Sequence, residues 1–191
     1  MLTFDHERHE YRHAGVLVPG VTSLLQHLHS FAGVPLDVLQ AAQERGSAVH
    51  AACQFFDEED LDEEQLQASS PMVFGYLLGW KKFMAERAPT WNAIEQPVYH
   101  PTLRYAGTPD RFGVLGGEDW QVDIKTSQQS HPVWGVQTAA YNHAAGKPKA
   151  RRATVQLRAD GTYRFTEWKD PTDWPVFVSL VTLHHWKGTR P

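Results

Sequence analysis

Apolar positions recur at helical spacing through the first half of the chain and alternate at strand spacing through its middle. From Leu36 to Phe56, the positions Ala42, Gly46, Val49, Cys53 and Phe56 fall at intervals of three and four. That spacing predicts a long helix with one apolar stripe. Before it, Val18-Pro19-Gly20-Val21 reads as a turn, and Thr22 can cap a short helix through Leu24, Leu25 and Leu28. Ser70-Pro71 opens a second long helix, with Ser70 as N-cap and Pro71 in the first turn. Phe74, Leu77, Leu78, Lys81 and Met84 carry it to about Arg87.

The period then changes. Ala93 to Tyr99 and Leu103 to Leu115 read as extended segments, and Gly116-Gly117-Glu118-Asp119 as a turn before a third strand, Trp120 to Thr126. Trp134 to Ala145 returns to helix, closed by Gly146 and Pro148. Asp160-Gly161 sits between Thr154–Leu157 and Thr162–Trp168, the strongest short hairpin signal in the chain. Asp170 or Thr172 leads into a last helix carrying Trp174, Phe177, Val178, Val181 and Trp186. The pattern predicts one mixed α/β (α+β) domain over residues 1–191, with the early strands meandering. Its core covers about 36–168 and its C-terminal helix about 172–187.

Length and composition agree with a single domain. The chain has 191 residues, 41% hydrophobic and 21% charged, and no apolar run long enough to span a bilayer. Cys53 is the single cysteine, which excludes an intramolecular disulfide, a cysteine zinc cluster and a four-cysteine iron–sulfur site. With no basic-then-apolar leader pattern, the expected location is the cytoplasm. The net charge of −4 argues at first against a nucleic-acid partner. The run Asp57 to Glu64 holds seven of the acids, however, and without it 15 acidic residues face 18 basic ones, a net of +3. The acidity is therefore concentrated in what reads as one surface loop.

Candidate chemistry gathers around the third strand. Alternation puts Trp120, Val122, Ile124 and Thr126 on one face and Gln121, Asp123 and Lys125 on the other. A carboxylate and an ammonium so placed can hold a hard cation and a water side by side, or simply form a surface ion pair. Gly107-Thr108-Pro109-Asp110 lies thirteen residues upstream, and a hairpin at Gly116-Gly117 returns the chain so that Asp110 reaches Asp123. Two converging carboxylates repel unless a proton or a metal sits between them. On the first long helix, Gly46 and His50 share a face, the glycine offering close approach to a sheet and the histidine a ligand or a core-edge imidazole. Gln137 and Tyr141 sit at i and i+4 on the helix after the third strand. His6, His9 and His13 also invite a metal reading, which their uniform donor set and sequence-local spacing do not favour.

Four short motifs stand in order: Arg45-Gly46-Ser47-Ala48-Val49-His50, Pro109-Asp110, Asp123-Ile124-Lys125 and Gln137-Thr138-Ala139-Ala140-Tyr141. Together they resemble the PD-(D/E)xK nuclease superfamily, in its RecB-like branch with the phage-type exonucleases. Val18 to Leu25 resembles the lead-in segment of phage members, and the likeness spans roughly residues 15–145. It departs from the iron–sulfur relatives, because one cysteine cannot build a cluster. The resemblance implies a restriction-endonuclease-like core, a central mixed β-sheet flanked by helices, and hydrolysis of DNA phosphodiester bonds with Mg²⁺ or Mn²⁺. It implies Asp110, Asp123 and the carbonyl of Ile124 as oxygen ligands, His50 as a nitrogen ligand, and Lys125 as the group that orients or helps deprotonate the attacking water. Glu95 is a further acidic candidate near the metal, or else a strand-end surface residue. Gln137, Tyr141 and Arg45 would contact the scissile strand.

Lys147, Lys149, Arg151 and Arg152 form a basic run that reads either as a phosphate track or as a solvated loop. Trp80, Trp91 and Trp134 read either as core or as base-stacking rings. DNA ends are the implied partner, in recombination or repair. A single-strand annealing protein and a homo-oligomer are compatible with the same resemblance. The alternatives are a structure-specific endonuclease on the same fold and a non-catalytic DNA-binding recombination protein.

Overall fold

Strand alternation and helix stripes meet in a three-layer arrangement. The computed structural model describes residues 1–5, 8–28 and 33–188. Three short strands, β1 (Leu2–Asp5), β2 (Glu10–His13) and β3 (Val16–Val18), come first, followed by α1 (Val21–Leu25). Then come α2 (Leu36–Asp57), α3 (Glu63–Ser69) and α4 (Pro71–Arg87). The strands β4 (Thr90–Ile94), β5 (Val98–His100), β6 (Tyr105–Gly107), β7 (Arg111–Leu115) and β8 (Glu118–Lys125) follow. The chain ends with α5 (Val133–Ala144), β9 (Arg151–Leu157), β10 (Tyr163–Trp168) and α6 (Asp173–Gly188).

The central sheet has the order β10-β9-β8-β7-β4. Only β8 and β9 run parallel, joined through α5, and the other neighbours are antiparallel. The mixed sheet flanked by helices is thus as the resemblance implies, and the early strands β4, β7 and β8 are antiparallel neighbours. One face carries Val122 and Ile124 of β8 against Val49 and Cys53 of α2 and Leu77, Trp80 and Phe83 of α4. Trp80 is fully buried, and burying such a side chain stabilises by about 2–3 kcal/mol. Gly75 lets α4 touch the β9–β10 hairpin, since a Cβ there would stand 2.1 Å from the carbonyl oxygen of Ala159. The other face is covered by α5, itself packed against α1 and α6 through Val136, Ala140, Phe177 and Val181. Polar residues of β8 on this face, Gln121 and Asp123, are therefore buried rather than solvated.

Several boundaries differ from the sequence pattern. Ala93–Tyr99 is not one strand: β4 stops at Ile94, Glu95 takes a left-handed backbone (φ 49), and β5 pairs with β6 in a separate two-stranded sheet. Leu103–Leu115 likewise breaks at Thr108-Pro109-Asp110 into β6 and β7. Proline lacks the N–H a continuous ladder needs. The acidic run is not a loop throughout. Asp57 ends α2, Asp62 caps α3 by accepting from the N–H of Gln65 at 2.9 Å, and Glu63 pairs with Lys81. Ser70 occupies the N-cap of α4 but makes no side-chain cap bond, and Gly20 rather than Thr22 precedes α1. The three-stranded N-terminal sheet had no counterpart in the pattern.

Candidate functional site

Asp110 sits where β6 has ended and β7 has not begun, and its position follows from register. Arg111 pairs with Val122 across the antiparallel β7–β8 ladder, which sets Asp110 opposite Asp123. Both carboxylates are buried, at 6% and 1% exposure. Asp110 Oδ2 accepts the N–H of Ile124 at 2.5 Å. The histidine of α2 arrives from the other side of the sheet edge. His50 Nε2 lies 3.1 Å from the carbonyl oxygen of Ile124, and Nδ1 lies 3.4 Å from Asp110 Oδ1 and 3.7 Å from Glu95 Oε1. His50, Glu95 and Asp110 offer ligand atoms all within 4.8 Å of one another, a group of three able to hold a metal ion.

Glu95 reaches this group through strain. A non-glycine residue at φ 49 is uncommon, and here the turn is held by the N–H of Glu95 donating to the carbonyl of Asp110 at 3.0 Å. Glu95 therefore lies in the bend after β4. Its Oε1 is buried and lies 3.7 Å from His50 Nδ1 and 3.5 Å from Arg111 Nη1. Carboxylate oxygens of Glu95 and Asp110 beside the His50 imidazole form a donor set suited to Mg²⁺ or Mn²⁺, so the residues present fit such an ion. Asp123 does not belong to the group of three: its Oδ2 lies 2.5 Å from Lys125 Nζ.

Electrostatics follow from burial and crowding. Burial works against charging His50, but the Asp110 and Glu95 carboxylates outweigh it and push the imidazole up to about 10. Burial also opposes ionisation of Asp110, yet His50, Lys125 and the Ile124 N–H hold it below its ordinary value. Asp123 is pushed up to about 6 by burial and by repulsion from Asp110, against the pull of Lys125. Glu95 is raised by burial and by Asp110. The imidazolium thus stands among carboxylates that a metal cation would also serve.

Lys125 Nζ donates to Gln137 Oε1 at 2.8 Å, and the Gln137 amide nitrogen donates to Tyr141 O–H at 3.1 Å. The i, i+4 pair on α5 therefore forms one chain with the strand residues. Tyr141 fits because Gly107 has no side chain, since a Cβ there would stand 2.6 Å from its ring. Gly46 plays no such part, because a Cβ on it would meet Thr126 Oγ1 only at an ordinary 3.8 Å. His50, Glu95, Asp110, Asp123, Lys125, Gln137 and Tyr141 all line one open cleft of about 480 Å³.

Sequence reasoning did not find Asp57 and Arg111. Arg111 is fully buried. Its Nε donates to Asp57 Oδ2 at 2.7 Å, and its Nη1 donates to the Asp110 carbonyl at 2.7 Å and lies 3.5 Å from Glu95 Oε1. Trp80 Nε1 donates to the other Asp57 oxygen at 3.0 Å. This network ties the end of α2 and the middle of α4 to the backbone that carries Asp110. The only available signal was an arginine directly after Asp110 in a strand whose neighbours are apolar.

The basic run lies elsewhere. Trp120 pairs with Arg151 and Lys125 with Gln156, so Arg151 and Arg152 begin β9 beside the start of β8, about five residues from Lys125. Arg151 pairs with Glu118 and Glu167 and lies over the Trp120 ring. Arg152 pairs with Asp173 at 2.9 Å. Lys147 Nζ lies 5.5 Å from the Phe112 ring centroid, and Lys149 is exposed. None of the four lines the cleft. Arg45 precedes the cleft-lining Gly46 and Ser47, and its Nε is buried without a partner. Trp80 and Trp134 are buried, and Trp91 is half-buried against Trp80 and Phe83. His6 lies outside the described residues, while His13 stacks on Tyr99 at 4.0 Å.

No protein-family model and no curated protein matches the sequence. Solved structures do match it. LHK-Exo in complex with dAMP is similar at TM-score 0.51 and 13% identity, over 89% of this chain and 87% of that one. Another structure of LHK-Exo, described as an alkaline exonuclease from Laribacter hongkongensis, gives TM-score 0.43 at 15% identity. It covers 57% of this chain and 62% of that one, under two thirds of the latter's length. The structure of SSO0001 gives TM-score 0.38 at 14% identity, over 77% and 76% of the two chains. The likeness to the dAMP complex extends over nearly the whole chain, and the fold described here is shared with that exonuclease.

Proposed function

We propose that the protein is a divalent-cation-dependent deoxyribonuclease that hydrolyses phosphodiester bonds at DNA ends, on a PD-(D/E)xK site of the RecB-like kind. The observation that carries this reading is the convergence, in one cleft, of His50, Glu95 and Asp110 with the Asp123–Lys125–Gln137–Tyr141 chain. The shared fold with an alkaline exonuclease supports it.

Asp110, Glu95 and His50 would hold the cation, with Asp123 and the Ile124 carbonyl beside it. Mg²⁺ or Mn²⁺ there would polarise the phosphate and lower the pKa of the attacking water. The remaining work falls to the chain itself. Hydrolysis forms a new P–O bond from water and breaks the bond to the leaving sugar oxygen, which takes up a proton. Lys125, fixed between Asp123 and Gln137, orients that water and offsets charge on the phosphoryl oxygens. Gln137 and Tyr141 place the phosphate. The Arg111–Asp57 pair keeps the Asp110 backbone and Glu95 in place. A role in recombination or repair, with a single-strand annealing partner or a homo-oligomeric ring, is compatible with this activity.

Digestion of a linear duplex and of the same DNA as a covalently closed circle tests the reading, each with Mn²⁺, Mg²⁺ or EDTA. Cation-dependent loss of the linear form with the circle intact is expected. Cleavage of the circle would instead make the protein an endonuclease, and no cleavage in any cation would remove the enzyme reading.

A further inference from the structure

The cleft is also lined by aromatic residues that the metal-centred chemistry does not use. Phe4 and Tyr11 of the N-terminal sheet, and His9 just before β2, border the space that holds His50, Asp110 and Lys125. Phe4 pairs with Tyr11 across the β1–β2 ladder, so the two rings share a face of the sheet. Their centroids are 4.5 Å apart at an interplanar angle of 24°, and His9 meets Phe4 edge-on at 5.2 Å and 80°. Tyr11 O–H lies 2.9 Å from Thr108 Oγ1, two residues before Asp110, which ties this cluster to the candidate metal ligands.

Packing accounts for part of this arrangement. Tyr11 is buried against Val18 and Ala106 in a small N-terminal core. Phe4 is half-buried against the same core and borders the cleft as well, and packing does not account for His9, which is exposed at the cleft. A volume of about 480 Å³ is on the scale of a small-molecule site and leaves room for a nucleotide unit. One part of the wall is carboxylate and ammonium, suited to a cation-bridged phosphate, and another part is aromatic, suited to a flat base.

We propose that Phe4 and His9 form a base-stacking subsite for the nucleotide whose phosphate is handled by Asp110, Asp123 and Lys125. This deepens the nuclease reading and rests on it. A base stacked on a protein ring has left its neighbours in the double helix. The subsite therefore selects unpaired or terminal nucleotides, with little preference among the four bases, because each has a π-face.

The test is calorimetric titration of the full chain, in Mn²⁺, with dAMP and with 2-deoxyribose 5-phosphate. Wild type is compared with Phe4→Leu and His9→Gly, and a thermal melt checks that each variant folds. Leucine keeps apolar volume in the N-terminal core, and glycine suits the left-handed backbone of His9 (φ 55), so His9→Gly decides the matter if Phe4→Leu fails to fold. Wild type is expected to bind dAMP roughly tenfold or more tighter than the sugar phosphate. Each variant should lose most of that preference while its affinity for the sugar phosphate stays unchanged. An unchanged preference, or no dAMP binding by wild type, overturns the subsite. If wild type still digests linear DNA in that case, the nuclease reading stands and the subsite alone falls. A base preference lost in the variants, in a wild type that digests no DNA, supports the subsite and removes the nuclease.

Discussion

At the scale of residues, the site is a set of charges that the fold holds against their preference. Asp123 is buried next to Asp110 and its carboxyl is pushed up to about 6, so ionising it opposes folding of the metal-free chain. Asp123→Asn should therefore raise the melting temperature of the EDTA-treated protein at pH 8, by about 2–4 °C, while abolishing hydrolysis. A drop in melting temperature would mean that the Lys125 contact outweighs the repulsion. His50 works in the opposite sense. Its imidazole is pushed up from 6.5 to about 10, so its stabilising charge is fully present below pH 6.5 and is lost as pH rises towards 10. Thermal melts in EDTA should fall across that window, and Mn²⁺ should restore them by replacing the lost positive charge. A pH-independent melt would contradict the placement of His50 among carboxylates.

At the scale of elements, what the sequence made legible depended on whether the signal was local. The Asp123-Ile124-Lys125 alternation, the Gly46–His50 spacing and the Gln137–Tyr141 spacing are each written within one helix or strand, and the structure joins them in one cleft. Glu95 was legible as an acid but not as a left-handed bend, because that conformation is imposed by the Asp110 carbonyl across the sheet. The Asp57–Arg111 pair joins residues 54 positions apart and leaves no local trace. The same applies to the basic run, whose arginines are occupied by Glu118, Glu167 and Asp173. The N-terminal strands, three or four residues each, were too short for alternation to register. The buried pair makes its own prediction. Arg111→Met alone leaves Asp57 uncompensated and should cost about 3–5 kcal/mol in chemical denaturation. Arg111→Met with Asp57→Asn should cost less than the single change, and additive costs would argue against a coupled pair.

At the scale of the whole molecule, the net charge of −4 is a poor guide to partners, because opposite charges are segregated and paired. Arg151 and Arg152 stitch β9 to β8, β10 and α6 instead of facing the cleft. Arg151→Gln with Arg152→Gln should lower the melting temperature while leaving the salt dependence of DNA binding unchanged. A fall of about 1–2 in the slope of log K against log salt would place these arginines on phosphates. Among the described residues, no helix is long and apolar enough to cross a membrane. The carboxylate–imidazole group, the Lys125 chain and the aromatic wall all open on one cleft. The most direct test of the account is single-turnover hydrolysis of a linear duplex in Mn²⁺ by wild type and by Lys125→Ala, with Mn²⁺ affinity measured in parallel. The account predicts that Lys125→Ala still binds Mn²⁺ but loses roughly a hundredfold or more in rate, the usual scale for a positioned proton-transfer or charge-stabilising group. A Lys125→Ala protein that digests DNA at the wild-type rate would contradict it.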